Sequence, residues 1–179
     1  VRIYDYVDIH VGVLERMYQK RLRGYASMGY AVKSDSTPFE AVSSIFDNTS
    51  FLPVFESDVG SARHEIAIVS PFLRPARLSQ MLGLLAGAIH SGVKVTVVTR
   101  PESDSQPESR HSLREMLRAI EHAGASLVLK PRIHQKFAVI DRRIVWYGSM
   151  NVLSFGRSQE SMMRLASVNI AEELLAILA

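Results

Sequence analysis

Hydrophobic and polar positions change their period several times along the chain. Residues 3–7 (IYDYV) alternate apolar and polar, as a short strand or extended arm does. From Val11 the spacing becomes helical, with Leu14, Met17, Tyr18, Arg21 and Leu22 on one side. Arg16, Lys20 and Arg23 fall on a broad flank of that helix. Gly24 and Gly29 punctuate it, and the polar run Lys33-Ser34-Asp35-Ser36-Thr37-Pro38 reads as a linker or boundary.

Beyond the linker the apolar text is denser. Phe51, Leu52, Phe55, Val59 and Ala62 fit one helical face that ends before Glu65. Glu65–Val69 is a short apolar strand closed by Ser70-Pro71, and a long helix follows from about Pro75 to Ser91 with Gly92 as its stop. Val93–Val98 is β-branched and reads as a strand. The polar loop RPESDSQPESR holds two prolines, which argue against regular structure. A helix from about Ser112 to His122 stops at Gly124, and strands are expected at Ser126–Leu129, Lys136–Ile140 and Ile144–Tyr147. A final helix begins at about Ala171. This order predicts an α/β domain with a mixed β-sheet flanked by helices over residues 36–179, preceded by an arm and helix over residues 1–35. There is no internal repeat and no low-complexity tract.

Composition narrows the class. The 179 residues are 47% hydrophobic and 22% charged, near globular averages, which excludes a disordered chain. No apolar stretch approaches the roughly 20 residues of a membrane-spanning helix; the densest, Met81 to Ile89, is broken by Gly83 and Gly87. The first ten residues carry three charges and no apolar signal core. With no cysteine, neither a disulfide framework nor a thiolate metal site is available. The expectation is a soluble, cytoplasmic domain without membrane contact. The start at Val1 and the apolar end LLAILA fit a domain cut from a longer polypeptide, and removal of a first Met gives the same start.

The net charge of +3 is uneven. Residues 1–33 hold six Lys/Arg against three Asp/Glu, and the rest balances at fifteen each. Within that balanced remainder, Lys130 to Arg164 holds seven basic and two acidic residues. Such an excess attracts phosphate-bearing partners, with scattered solvated charge as the plainer reading.

One stretch carries candidate chemistry: Ile133-His134-Gln135-Lys136-Phe137-Ala138-Val139-Ile140-Asp141, then six residues, then Gly148-Ser149-Met150-Asn151. On a strand, His134 and Lys136 share one face. A turn at Arg142-Arg143 sends Ile144–Tyr147 back beside them and returns Gly148-Ser149-Met150-Asn151 to the His134 end. An imidazole, an ammonium, a hydroxyl and an amide then converge, and these donors suit a phosphate oxyanion directly. No carboxylate pair accompanies them to hold Mg²⁺, so neither a metal nor a cofactor is expected.

At these residues the sequence resembles the HKD signature of the phospholipase D superfamily, fixing six residues over eighteen positions. The likeness extends to the strand ending in Ser70-Pro71-Phe72, the long helix after it and the strand before Thr99-Arg100, and covers about residues 45–170. It implies metal-free hydrolysis or transfer of phosphodiesters in lipids or nucleic acids. It assigns His134 as the nucleophile that carries a phosphohistidine, and Lys136, Ser149 and Asn151 as the phosphate-binding groups. Asp141 then anchors the turn, and Gly148 permits the loop that presents Ser149. The family also places a glutamate after the asparagine to orient the histidine. Glu160, the only acidic residue between Asn151 and Glu172, is the candidate.

The resemblance also implies a pair of chains. Its active sites use two histidines, one as nucleophile and one as general acid. Here His10, His64, His90, His111 and His122 all lack a lysine two places on, so a homodimer that shares the site is expected. Met150, Met162 and Met163 read as core filler. Trp146 reads as packed, with base stacking at a sheet edge as its alternative.

Upstream, Ile3-Tyr4-Asp5-Tyr6-Val7-Asp8 and Leu14-x-Arg16-Met17-Tyr18-x-Lys20-Arg21-Leu22-x-Gly24-Tyr25 resemble the end of the motor region of DEAD/DEAH-type superfamily II helicases. The alternative is an amphipathic helix packed on the domain. Three functions remain open: a nuclease or related phosphodiesterase acting on nucleic acid, a non-catalytic DNA-binding module of a helicase-like protein, and a phospholipid hydrolase. The last is weakest, because no amphipathic membrane face is visible.

Overall fold

The computed structural model describes residues 12–30, 44–154 and 158–178. It divides into two compact units, Val1–Phe39 and Glu40–Ala179. The expected arm at residues 3–7, the helicase-like Ile3–Asp8, the linker Lys33–Pro38 and Arg157 lie outside the described residues.

In the first unit, α1 spans Gly12–Ser27. Gly24 lies inside this helix and does not end it, contrary to expectation; the chain turns at Met28-Gly29, where Gly29 N donates to Ala26 O at 3.0 Å.

The second unit holds seven described strands in one sheet: β1 (Ser44–Asp47), β2 (Glu65–Val69), β3 (Lys94–Thr99), β4 (Ser126–Leu129), β5 (Phe137–Ile140), β6 (Ile144–Gly148) and β7 (Ser161–Ala166). Their order is β1-β7-β6-β5-β2-β3-β4. Strands β2, β3 and β4 are parallel, and the remaining neighbours are antiparallel. This is the mixed α/β sheet the sequence predicted. Strand β5 is buried along its whole length because it lies between β2 and β6 with both faces covered.

The helices cover the two faces unequally. Phe51, Phe55 and Val59 from α2 (Phe51–Ser61), Leu78, Met81 and Leu85 from α3 (Pro75–His90), and Ile120 from α4 (Arg110–His122) pack with Ile66, Ile68, Val95, Val97 and Trp146 in one core. Ala171 and Leu174 from α5 (Val168–Ala176) join Val69, Phe137, Val139, Val145 and Leu165 in a second. Trp146 is fully buried, edge-on to Phe51 and Phe55 with centroids at 5.0 and 5.7 Å, so its base-stacking alternative falls away. Met150 and Met162 are core residues as expected, whereas Met163 is 39% exposed. It shares a face with Ile45 and Tyr147, which are exposed beside it.

Several elements depart from the sequence reading. Strands β1 and β7 were not expected. In β7 both faces are partly covered, so Met162, Arg164 and Leu165 show no apolar–polar alternation. In β1 only four residues pair, too few to show a period. The loop after β3 holds two 3₁₀ turns, Glu102–Asp104 and Pro107–Ser109. Pro107 opens the second, where its fixed φ suits a first helical position and its missing N–H costs nothing. Helix α5 begins three residues early because the Ser167 side chain caps it, accepting from Ile170 N at 3.3 Å. No described helix is long and apolar enough to cross a membrane.

Candidate active site

The β5–β6 hairpin builds the site. Its turn runs over residues 141–143, one residue earlier than the expected Arg142-Arg143, with Asp141 and Arg142 at left-handed φ of 50° and 52° and Arg143 N donating to Ile140 O at 3.0 Å. The Asp141 carboxylate accepts from Arg63 N, His64 N and Glu65 N at 2.8, 2.8 and 3.0 Å, which fastens the turn to the start of β2. Burial works to raise the Asp141 pKa; the three N–H donors outweigh it and hold the carboxyl below its ordinary value. The backbone of Arg63-His64-Glu65, leading from α2 into β2, thus supplies the anchor for the motif aspartate.

At the opposite end of the hairpin sit His134 and Lys136. Strand β5 begins only at Phe137, so both residues lie on the segment that leads into it and not on the strand itself. They still meet. Lys136 Nζ lies 3.4 Å from His134 Nδ1 and donates to the His134 carbonyl at 2.8 Å. Burial lowers the Lys136 pKa, Glu160 opposes that shift, and Arg100 adds to it. The lowered pKa means that the ammonium, the form that attracts phosphate, loses its charge at a lower pH than in free lysine. Binding of a dimethyl phosphate anion therefore weakens on an alkaline limb below the ordinary lysine value. In Lys136→Arg, where the charge persists, that limb moves upward. A pH titration of binding checks this, and a limb at or above the free lysine value contradicts it.

The returning strand brings Gly148 N to the Lys136 carbonyl at 3.3 Å. Gly148 is needed for close approach, not for an unusual backbone angle: a Cβ there would lie 2.1 Å from Ser161 O and 2.9 Å from Met162 Cα. Gly148→Ala must push β7 away and should cost about 1–3 kcal/mol by overpacking. Urea unfolding measures this, and a neutral result contradicts the geometry. Ser149 is exposed, and its hydroxyl is engaged with β7: Oγ accepts from Ser161 N at 3.1 Å and lies 3.5 Å from Ser161 O.

Asn151 opens a loop held from three sides. Arg77 Nε donates to Val152 O at 3.0 Å, Leu153 N donates to the buried Ser70 Oγ at 3.2 Å, and Arg74 N donates to Leu153 O at 3.0 Å. Asn151 Oδ1 is buried with no hydrogen-bond partner among the described residues, so its amide keeps unused bonding capacity. Asn151 and Glu160 line a cleft of about 750 Å³ that also takes in Phe72, Arg74, Arg100 and Ser154. Glu160 acts on Lys136 electrostatically, and among the described residues no hydrogen bond joins it to His134.

The structure therefore brings His134, Lys136, Glu160 and Asn151 to one end of the sheet and ties Ser149 to β7. The sequence reading missed Arg100, Ser70 and Arg77, all of which bond to backbone around the motif. Among the described residues no three His, Asp or Glu side chains converge as metal ligands.

Residues 56–179 match the family described as the cardiolipin synthase, phospholipase D-like domain. The chain belongs to this phospholipase D-like family. No curated protein matches it. Among solved structures it is similar to Nuc, a phospholipase D family member from Salmonella typhimurium, at 20% identity over 76% of this chain and 91% of that one, with a TM-score of 0.62. NucT from Helicobacter pylori matches at 18% identity over 77% and 93%, with a TM-score of 0.60. Polyphosphate kinase from Porphyromonas gingivalis matches at 16% identity over 76% of this chain but 25% of its own, with a TM-score of 0.58. These likenesses place the phospholipase D-like fold on the sheet and helices described above.

Proposed function

We propose that this chain is a metal-independent phosphodiesterase that cleaves nucleic acid through a phosphohistidine at His134. The observation that carries the reading is the contact of His134 with Lys136 beside Glu160, in a family whose motif this chain holds complete. In the first step a ring nitrogen of His134 bonds to phosphorus and the bond to the leaving oxygen breaks. In the second, water bonds to phosphorus and the phosphorus–nitrogen bond breaks. Lys136 neutralises the non-bridging oxygens, and Asn151 and Ser149 donate to them. For Ser149 this requires its hydrogen to turn from Ser161 O, a long 3.5 Å contact. Glu160 orients the site through its charge. Asp141 and Gly148 hold the hairpin in place.

The leaving oxygen needs a proton from a second side, and one imidazole cannot stand on both sides of phosphorus. A homodimer with a twofold axis through the site supplies the partner's histidine as general acid. The basic excess around the motif favours nucleic acid as substrate. The helicase-like upstream stretch suits an accessory domain working beside a motor, acting in the cytoplasm.

A second reading, a DNA-binding module without turnover, uses the same phosphate pocket. A single assay separates them. Single- and double-stranded DNA and RNA are digested by the full chain in excess EDTA, with bis(p-nitrophenyl) phosphate in parallel. Cleavage in EDTA is expected. Cleavage that disappears with EDTA and returns with Mg²⁺ overturns the mechanism, and binding without cleavage of any substrate selects the module.

A further inference from the structure

Arg100 stands immediately after β3, and three observations fix what its guanidinium is free to do. Nε donates to the Ile133 carbonyl at 2.7 Å, the residue just before His134. The guanidinium lies over the Phe72 ring, 4.7 Å from its centroid, and Phe72 is itself 45% exposed. Both side chains line the cleft that holds Asn151 and Glu160. Nε and one guanidinium face are thus occupied. The two terminal amino groups make no hydrogen bond or ion pair among the described residues. That leaves a planar, permanently charged fork whose plane is set by an aromatic ring and whose root is tied to the catalytic segment. Such a fork matches two oxygens of a phosphate.

Charge along the cleft narrows the position. Arg74 and Arg100 are the basic residues lining the cleft, while Asp104 and Glu108, on the 3₁₀ turns, and Glu160 are its acidic ones. A phosphate is drawn to the two guanidinium groups and kept off the carboxylates. Arg100 also acts electrostatically on Lys136, so the two cations lie near one another.

We propose that Arg100, braced by Phe72, binds the phosphate next to the scissile one, so that the site takes a polynucleotide and not an isolated diester. This rests on the phosphodiesterase reading and deepens it. Arg100 binds substrate directly; Phe72 is a positioning residue acting through it.

The test uses the full chain and two probes, TpT with a single phosphate and TpTpT with two. For Arg100→Ala, KM for TpTpT rises about 10- to 100-fold, the loss of a charge-assisted contact. The preference for TpTpT over TpT, read as the ratio of their kcat/KM values, falls by the same factor of about 10 to 100, because any loss through the bond to Ile133 is shared by both probes. Arg100→Lys falls between, because charge is kept without the fork, and Phe72→Leu shifts the TpTpT KM in the same direction by less. A purely structural role, acting through Ile133 on His134, lowers kcat for both probes alike and leaves the preference unchanged, and that pattern overturns the proposal. Equilibrium binding of both probes to His134→Asn, with and without Arg100→Ala, reads the same preference without turnover. A His134→Asn chain that binds TpTpT no better than TpT also overturns it. Preference for TpTpT that depends on Arg100, in a wild-type chain that cleaves nothing, supports the subsite and defeats the phosphodiesterase reading instead.

Discussion

Replacing His134 by asparagine removes phosphodiester turnover by about 10⁴-fold or more, the scale on which loss of a covalent nucleophile acts. The side chain is exposed, and its only described contact is the 3.4 Å approach of Lys136 Nζ to Nδ1. The fold therefore keeps its stability to within about 0.5 kcal/mol, as for other surface substitutions. Loss of rate without loss of structure separates chemistry from folding. Wild-type protein stopped in alkali during turnover should carry a nucleotidyl phosphate on His134, the ester that did not leave, and the variant should carry none. Mixing wild-type and variant chains extends the test to the pair. A heterodimer has one nucleophile but lacks the opposing acid at each phosphorus, so mixed samples lose more activity than the variant fraction alone explains. Activity that falls only in proportion to that fraction contradicts a shared site, and an active His134→Asn chain contradicts the mechanism itself.

What the sequence made legible was the part whose partners are close along the chain. His134 and Lys136 are two residues apart and meet as their spacing implies, and the hairpin that returns Gly148 spans a single turn. Strands β2, β3, β5 and β6 were visible because burial on both faces makes them short apolar runs. The supports of the site were not visible. Arg100 reaches Ile133 across 33 residues, Arg77 reaches Val152 across 75, and Ser70 reaches Leu153 across 83. In each case the partner is a backbone group, and every residue carries one. No residue-type pattern records such a contact. Ser149 shows the converse. Its place in the motif was plain, yet its engagement with Ser161 depended on β7, whose Arg164 hid the strand's period.

Asp58→Ala destabilises the domain by about 3–5 kcal/mol, the cost of stranding a buried charge. Asp58 is 7% exposed on α2. Its Oδ2 accepts from Trp146 Nε1 at 2.8 Å and Arg164 Nε at 2.7 Å, and its Oδ1 accepts from a terminal Arg164 nitrogen at 2.7 Å. One carboxylate thus joins a helix to β6 and β7. The hydrogen bond to Asp58 raises the Arg164 pKa, burial opposes it, and the pair's attraction adds to the rise. Alanine leaves the guanidinium and the Trp146 N–H without an acceptor, on top of the lost packing. Against a total stability of about 5–15 kcal/mol, that is a large share. The effect should appear as a lower urea midpoint at unchanged slope, and it should persist in high salt because the pair is largely shielded from solvent. Arg164→Met placed in the Asp58→Leu background should recover part of the loss, since an apolar pair strands no charge. If Asp58→Ala costs under about 1 kcal/mol, as exposed pairs do, the carboxylate is not the tie between helix and sheet. Because β7 carries the Ser161 groups that hold Ser149, the same variant should also loosen the candidate site before the domain unfolds.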